Sequence, residues 1–303
     1  MAEAAPHIRG QSESVAVLLL VAVGVVLLAV IGTLALGFAD RATQDPTTVA
    51  VESTADERTV TLVHQSGDPL PLDDAAVVLR SDGRPDRVPL SDTVPVTEDG
   101  DGKLSAGESL SLAHAVQGEL RVLVVSGDAV VHERTFDLSD ATPTRLARFD
   151  RSPPANWSGN VNVGGAVTVD GGGRSVSLEG NRWAGVPFDY TVTEDTVVAF
   201  EFRSDDVGEI HAIGFETDTN QQSGRVVQLA GSQNWGVPVT NGYGPSYAQG
   251  DGWTRYEIPI GDVYNSNNPG YLGDASTLLF VNDCDGCSAA SAFRNVRVYE
   301  RDD

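Results

Sequence analysis

From Ser14 to Ala39 the chain runs 26 residues without a charge, and almost all of them are Val, Leu, Ala, Ile or Gly. As an α-helix this stretch would be ~39 Å long, more than the ~30 Å needed to cross a hydrocarbon core. It is apolar on every face, which excludes an amphipathic helix lying on a surface. A secretory signal has a shorter apolar region, ~7–15 residues, ending in a small-residue cleavage site. The run is too long for that, so the expectation is a helix over residues 11–40 that spans a membrane.

The residues just before the run are Arg9-Gly10-Gln11-Ser12-Glu13. Together with the helix they resemble the class III signal of archaeal, haloarchaeal-type, type IV pilins. The resemblance implies that a prepilin peptidase cuts between Gly10 and Gln11, removing residues 1–10 and leaving the helix on the mature protein. It further implies other pilin subunits as partners. It places the chain in the cell membrane before assembly, then in an extracellular pilus or on the cell surface. Arg9 before the helix and acidic sequence after Asp40 agree with the positive-inside rule. Glu13 would be the third mature residue, whereas many pilins carry an acidic residue at the fifth. Ala29, Thr33 and Gly37 form a small-residue stripe that would permit close helix approach.

The 303 residues carry 43 Asp+Glu against 20 Lys+Arg, a net charge of −23, and Lys103 is the one lysine. Such a surface repels phosphate, so nucleic acid is excluded as a partner. Acidity with so little lysine resembles proteins of salt-accumulating halophiles.

Residues 47–138 read as short alternating strands separated by turn clusters every 8–12 residues, an all-β domain. With VHQSGDPLPLDDAAVVL and SAGESL, the segment resembles the β-domain of the same pilins. Residues 139–156, with three prolines and no clear strand, read as a linker. Residues 157–303 read again as strands, eight or nine of them with no helical period. Aromatic residues separate the two halves: 41–150 hold only Phe136 and Phe149, while all four Trp and all seven Tyr lie beyond. Gly180-Asn181-Arg182-Trp183, GEIHAIGFETD, Ser232-Gln233-Asn234-Trp235-Gly236 and FRNVRVYE resemble a carbohydrate-binding-type, galactose-binding-like jelly roll. The fold expected is therefore mainly β: one N-terminal transmembrane or filament-core helix, then two all-β sandwich domains, the second a jelly roll.

No nucleophile elbow, zinc-protease motif or phosphate loop occurs. His64, His114, His132 and His211 stand singly and read as structural. Carboxylate pairs that would suit a glycosidase carry no specificity among 43 acidic residues, so the chain is not expected to be an enzyme. Sugars stack on aromatic faces and need polar groups beside them. Gln233, Asn234, Trp235, Tyr243 and Tyr247 offer both, in a Gly-rich stretch that reads as a loop. Trp235 with Tyr243 is the expected platform; the alternative is that Trp235 and Trp253 fill the core. Glu216 with Asp218, and Asp283 with Asp285, are candidate calcium ligands, or else solvated carboxylates. The loop from Asp99 to Glu108 partly imitates an EF-hand but reads better as a β-turn. Cys284 and Cys287 are expected to form a short-loop disulfide, and Asn156-Trp157-Ser158 is a glycosylation sequon.

The function expected is a pilin-like surface protein, a minor or tip subunit, whose C-terminal sandwich binds an extracellular or cell-surface glycan. The alternatives are a purely structural pilus or cell-surface component, and a polysaccharide-degrading enzyme.

Overall fold

A computed structural model describes residues 48–81, 85–97, 99–157, 164–170 and 172–301. The leader, with Arg9, Gly10, Gln11 and Glu13, and the apolar run lie outside the described residues. Among the described residues no helix is long and apolar enough to cross a membrane.

The strands of the first half are β1 (Val49–Ala55), β2 (Thr59–Gly67), β3 (Leu70–Pro71), β4 (Ala75–Arg80), β5 (Asp86–Pro89), β6 (Val94–Thr97), β7 (Lys103–Leu104), β8 (Ser109–Ala113), β9 (Gly118–Ser126) and β10 (Ala129–Leu138). They form two four-stranded antiparallel sheets, β1-β2-β8-β6 and β10-β9-β4-β5, with β3 and β7 as a small ribbon. Alternation in β2 turns Val60 and Leu62 inward to meet Val77, Leu79, Val122 and Val124 from the other sheet. This core is aliphatic; Phe136 only packs against its margin. The acidic loop closes on itself, since the Glu108 carboxylate accepts the backbone N–H groups of Asp99 and Ser105. It is a turn, as its Gly and Asp residues suggest.

The second half contains β11 (Thr144–Leu146), β12 (Ala155–Asn156), β13 (Ala166–Val169), β14 (Ser175–Glu179), β15 (Arg182–Val192), β16 (Thr196–Asp206), β17 (Ile210–Glu216), β18 (Val226–Ala230), β19 (Val237–Pro238), β20 (Thr254–Ile258), helix α1 (Ile260–Asn267), β21 (Gly273–Asp283) and β22 (Ala290–Glu300). One sheet runs β13-β14-β22-β16-β20, with β11 also on β22; the other runs β12-β15-β21-β17-β18-β19. Phe200, Phe202, Tyr256, Phe293 and Val298 from the first meet Ile213, Phe215, Leu278 and Phe280 from the second. The chain is thus mainly β, its sheets stacked as sandwiches.

Two features differ from the sequence reading. The stretch 139–156 is partly strand: β11 pairs with Arg297–Tyr299, β12 pairs with Ala184–Gly185, and Ala147 and Phe149 are buried in the second core. Its prolines hid this, because the pairing partners are more than 140 residues away for β11. Helix α1 begins after Pro259 and is too short to announce a helical period. It buries Tyr264, whose hydroxyl accepts the Phe215 N–H and donates to the Arg225 carbonyl.

Arg174, 2% exposed, projects from the second sandwich into the first. It donates to the Ala113 carbonyl at 2.7 Å and to Asp86, which also accepts from Arg148 at 2.6 Å. Val49–Asp303 is one compact unit, and this buried cluster ties its two halves together.

Candidate functional site

Strand β17 has no exposed residue. By alternation Ile213 and Phe215 face the core, while Ile210 and Ala212 turn to the sheet's outer face. There they join Leu279, Val281, Trp157 and Trp183 in a separate apolar cluster, with Trp235 packed against it. The three indoles form a row: Trp157 stacks on Trp183 at 5.5 Å, and Trp183 meets Trp235 at 5.0 Å with the rings tilted by 59°. Trp157 and Trp183 are buried, and Trp235 is half-buried at the row's end.

The loop carrying Trp235 is held on both sides. Gln228 donates from Nε2 to the Gln233 carbonyl at 2.6 Å and accepts the Trp235 N–H at 3.3 Å. The Ser232 and Gln233 N–H groups bond to the Gly208 and Glu209 carbonyls. Gly231, at φ 131°, lets the chain pass against Glu209, where a Cβ would collide with the backbone. A pocket of about 270 Å³ opens beside Gln228, Gln233, Asn234 and Thr240.

The same edge carries carboxylates. Ile210 pairs with Asp283 across β17 and β21, which brings Glu209 beside that aspartate. Oxygen atoms of Glu209, Asp283 and Asp285 lie within 4.8 Å of one another, a group that could hold a metal ion. The Asp285 N–H donates to Glu209 at 3.0 Å, and Asn181 donates to Asp285. Burial, then the neighbouring charges of Asp285 and Glu209, raise the Asp283 carboxyl above its ordinary value; the Trp183 indole and the Cys284 N–H partly offset this. Cys284 and Cys287 are joined, their Cα atoms 5.3 Å apart, in the turn that presents Asp285.

Beneath the edge a buried relay sets the strand ends. Gly208 N–H donates to His211 Nε2 at 2.7 Å, His211 Nδ1 meets Ser291 Oγ at 2.6 Å, and Ser291 donates to Asn282 Oδ1 at 2.8 Å. Because Nε2 accepts, the proton sits on Nδ1. Burial pushes the His211 pKa down to about 4. A lowered histidine pKa means that stability is lost as pH falls from the unfolded value of ~6.5 toward 4. The expected result is a neutral His211 ring at pH 6, protonated on Nδ1, in nitrogen NMR; an imidazolium signal there would refute the relay.

Other expected site residues lie elsewhere. Tyr247 is buried, its hydroxyl accepting the Ser204 N–H and donating to a backbone carbonyl, so it presents no face to a ligand. Tyr243 packs against the core between the sheets, not the outer cluster of Trp235, so the two do not make one platform. Trp253 is in neither cluster: the guanidinium groups of Arg203 and Arg294 lie 5.1 and 4.1 Å from its ring centroid. Glu216 is at the far end of β17 from Glu209, roughly 20 Å away at ~3.3 Å per residue, so the two expected acidic clusters do not converge. Glu216 is fully buried, and desolvation pushes its pKa up to about 8 despite Arg225 at 3.8 Å. Protonated at neutral pH, it makes a poor calcium ligand. Asp218 caps its own turn by accepting from Asn220. Asn156 is exposed on β12. Glu209 was missed because its partnership with Asp283 depends on strand register, which sequence alone does not display.

No known family model matches the chain, and no curated protein matches it in sequence. Among solved structures it is similar to the family 30 carbohydrate-binding module of a cellulosomal cellulase from Clostridium thermocellum: 14% identity, 52% of this chain and 95% of that one, TM-score 0.30. It is similar to the surface glycan-binding protein PbSGBP-B from Prevotella bryantii: 15% identity, 83% of this chain and 76% of that one, TM-score 0.28. It is similar also to SGBP-B from a complex xyloglucan utilization locus in Bacteroides uniformis: 14% identity, 84% and 71%, TM-score 0.27. Likeness at these values leaves function to be read from the residues.

Proposed function

We propose that the chain is a glycan-binding surface protein, displayed by a pilin-like N-terminus as a minor or tip subunit. The observation that carries the reading is the half-buried Trp235 at the end of an indole row, in a loop with Gln233 and Asn234 that is hydrogen-bonded to the backbone of Glu209, one of the three clustered carboxylates Glu209, Asp283 and Asp285. A sugar's C–H face stacks on the free side of Trp235, and its hydroxyls bond to the amides. Calcium suits the three carboxylates, as a hard cation that takes oxygen ligands; it would brace the edge or meet the hydroxyls directly. In this reading prepilin peptidase cuts after Gly10, and the apolar helix anchors the chain in the membrane or packs with other pilin subunits.

The test is affinity electrophoresis of the chain at high salt against several polysaccharides, with calcium and with chelator. At least one polysaccharide is expected to retard the parent, and Trp235→Ala to remove most of that retardation, as truncating a central Trp of a binding site costs about 2 kcal/mol or more. Asp283→Asn is expected to abolish any calcium-dependent rise in melting temperature. Equal retardation of parent and Trp235→Ala would sink the proposed site.

A further inference from the structure

The pocket beside Trp235 is a place of its own, because Trp235 is not among the residues that line it. It holds about 270 Å³, just under the ~300–1,000 Å³ of sites for drug-sized ligands, a size that suits one sugar ring. Leu229, Pro238 and Val239 give it apolar surface, and Leu229 and Val239 are anchored in the core between the sheets. Ser232, Gln233, Asn234 and Thr240, all exposed, add two hydroxyls and two amides. Those four side chains make no hydrogen bond among the described residues. Gln228 also lines the pocket, but its amide is engaged by the Gln233 carbonyl and the Trp235 N–H, so it fixes the wall.

The lining restricts what can enter. No Asp, Glu, Lys, Arg or His is in it, although 21% of the chain is Asp, Glu, Lys or Arg. The loop is also bonded to the backbone of Glu209, which clusters with Asp283 and Asp285, and such a group repels an anion. Every free polar group in the pocket, hydroxyl or amide, both donates and accepts. A sugar hydroxyl does the same. A carboxylate or sulfate only accepts, and it would lose water without meeting an opposite charge. Asn234 and Trp235 are consecutive, their Cα atoms ~3.8 Å apart, so pocket and indole adjoin and two linked sugar residues can occupy both.

We propose, resting on the glycan-binding reading above, that the site takes two linked residues of an uncharged glycan and rejects glycans of uronate or sulfated sugars. One residue stacks on Trp235, and the next sits in the pocket among Ser232, Asn234 and Thr240.

Calorimetric titration of the full chain in detergent at high salt, with calcium present, tests this. The probes are glucose, galactose, mannose and xylose oligosaccharides of one, two and four residues, and tetragalacturonate. At least one neutral series is expected to bind, its disaccharide about tenfold or more tighter than its monosaccharide, and tetragalacturonate is expected not to bind. Thr240→Phe fills the pocket from an exposed position. It is expected to weaken the disaccharide and tetrasaccharide about tenfold, the worth of one or two neutral hydrogen bonds, without moving the melting temperature. Should Thr240→Phe fail to fold, Ser232→Phe decides, since Ser232 is exposed and bonds to the fold through its backbone. Three results would overturn the proposal while Trp235→Ala still removes binding, and so would leave the Trp235 platform standing. They are a monosaccharide bound as tightly as its disaccharide, tetragalacturonate bound as tightly as the neutral tetrasaccharide, and a disaccharide affinity that the filled pocket does not change. No binding in any neutral series, or binding that Trp235→Ala leaves intact, would overturn the platform and the pocket together.

Discussion

Asp86→Ala is expected to destabilise the compact unit by about 3 kcal/mol or more, the usual cost of leaving a buried charge without its counter-ion. Asp86 accepts from both Arg148 and Arg174. Arg148 retains Asp150, at 3.1 Å, when Asp86 is removed. Arg174 does not share that relief: its side chain is 2% exposed, and Asp86 is its ion-pair partner among the described residues. Asp86→Asn should cost nearly as much, because an amide keeps the shape and removes the charge. Burial disfavours the Asp86 carboxylate, but the two guanidinium groups outweigh it and hold its pKa below the ordinary range. A carboxyl lowered on folding gives its full stabilisation above the ordinary value of ~4, and that stabilisation is lost as pH falls through the lowered one. Denaturant unfolding of the parent and both variants at neutral pH measures the effect. A loss under about 1 kcal/mol, the range of an exposed pair, would show that the cluster does not join the sandwiches.

Glu216→Gln should act in the opposite direction. In the folded chain Glu216 holds its proton up to about pH 8, whereas in the unfolded chain it releases it near pH 4.3. Between those values the folded state binds more protons, so stability falls as pH rises and levels off above about 8. Each pH unit in that window is worth about 1.4 kcal/mol, and neither Glu216 oxygen has a hydrogen-bond partner to reduce the loss. The neutral amide fills the same space without the titration. Between pH 5 and pH 8 the variant should gain about 4 kcal/mol on the parent. Parallel stability profiles across that range would mean that Glu216 is already ionised and paired with Arg225.

Residues that act through local chemistry were legible in sequence, and those that act through pairing were not. Trp235, Asn234 and Gln233 were picked out as an aromatic beside amides, and they do share one loop. Tyr243 and Tyr247 were picked out by the same reasoning and lie in or against the core. A loop's sequence does not tell which side of a sheet each residue will meet. Asp283 and Asp285 were read correctly as a strand-end pair, yet their third carboxylate, Glu209, comes from another strand. The linker reading of 139–156 failed for a related reason, since the partners of β11 and β12 are remote.

By itself the sequence determined the class of structure. Period-2 alternation requires sheets with one face buried, and the division of aromatics between the halves requires two different cores, one aliphatic and one built on Phe and Tyr. Only tertiary structure decided the sites. Register set Glu209 against Asp283, and the bulge at Asn295 left its buried side-chain amide without a partner. The docking of one sandwich on the other put Arg58 opposite Arg255 and Arg297. Each is a long-range coincidence of positions. Such coincidences follow from how whole sheets pack, because packing energy is shared among dozens of buried side chains and recorded in no short stretch of chain.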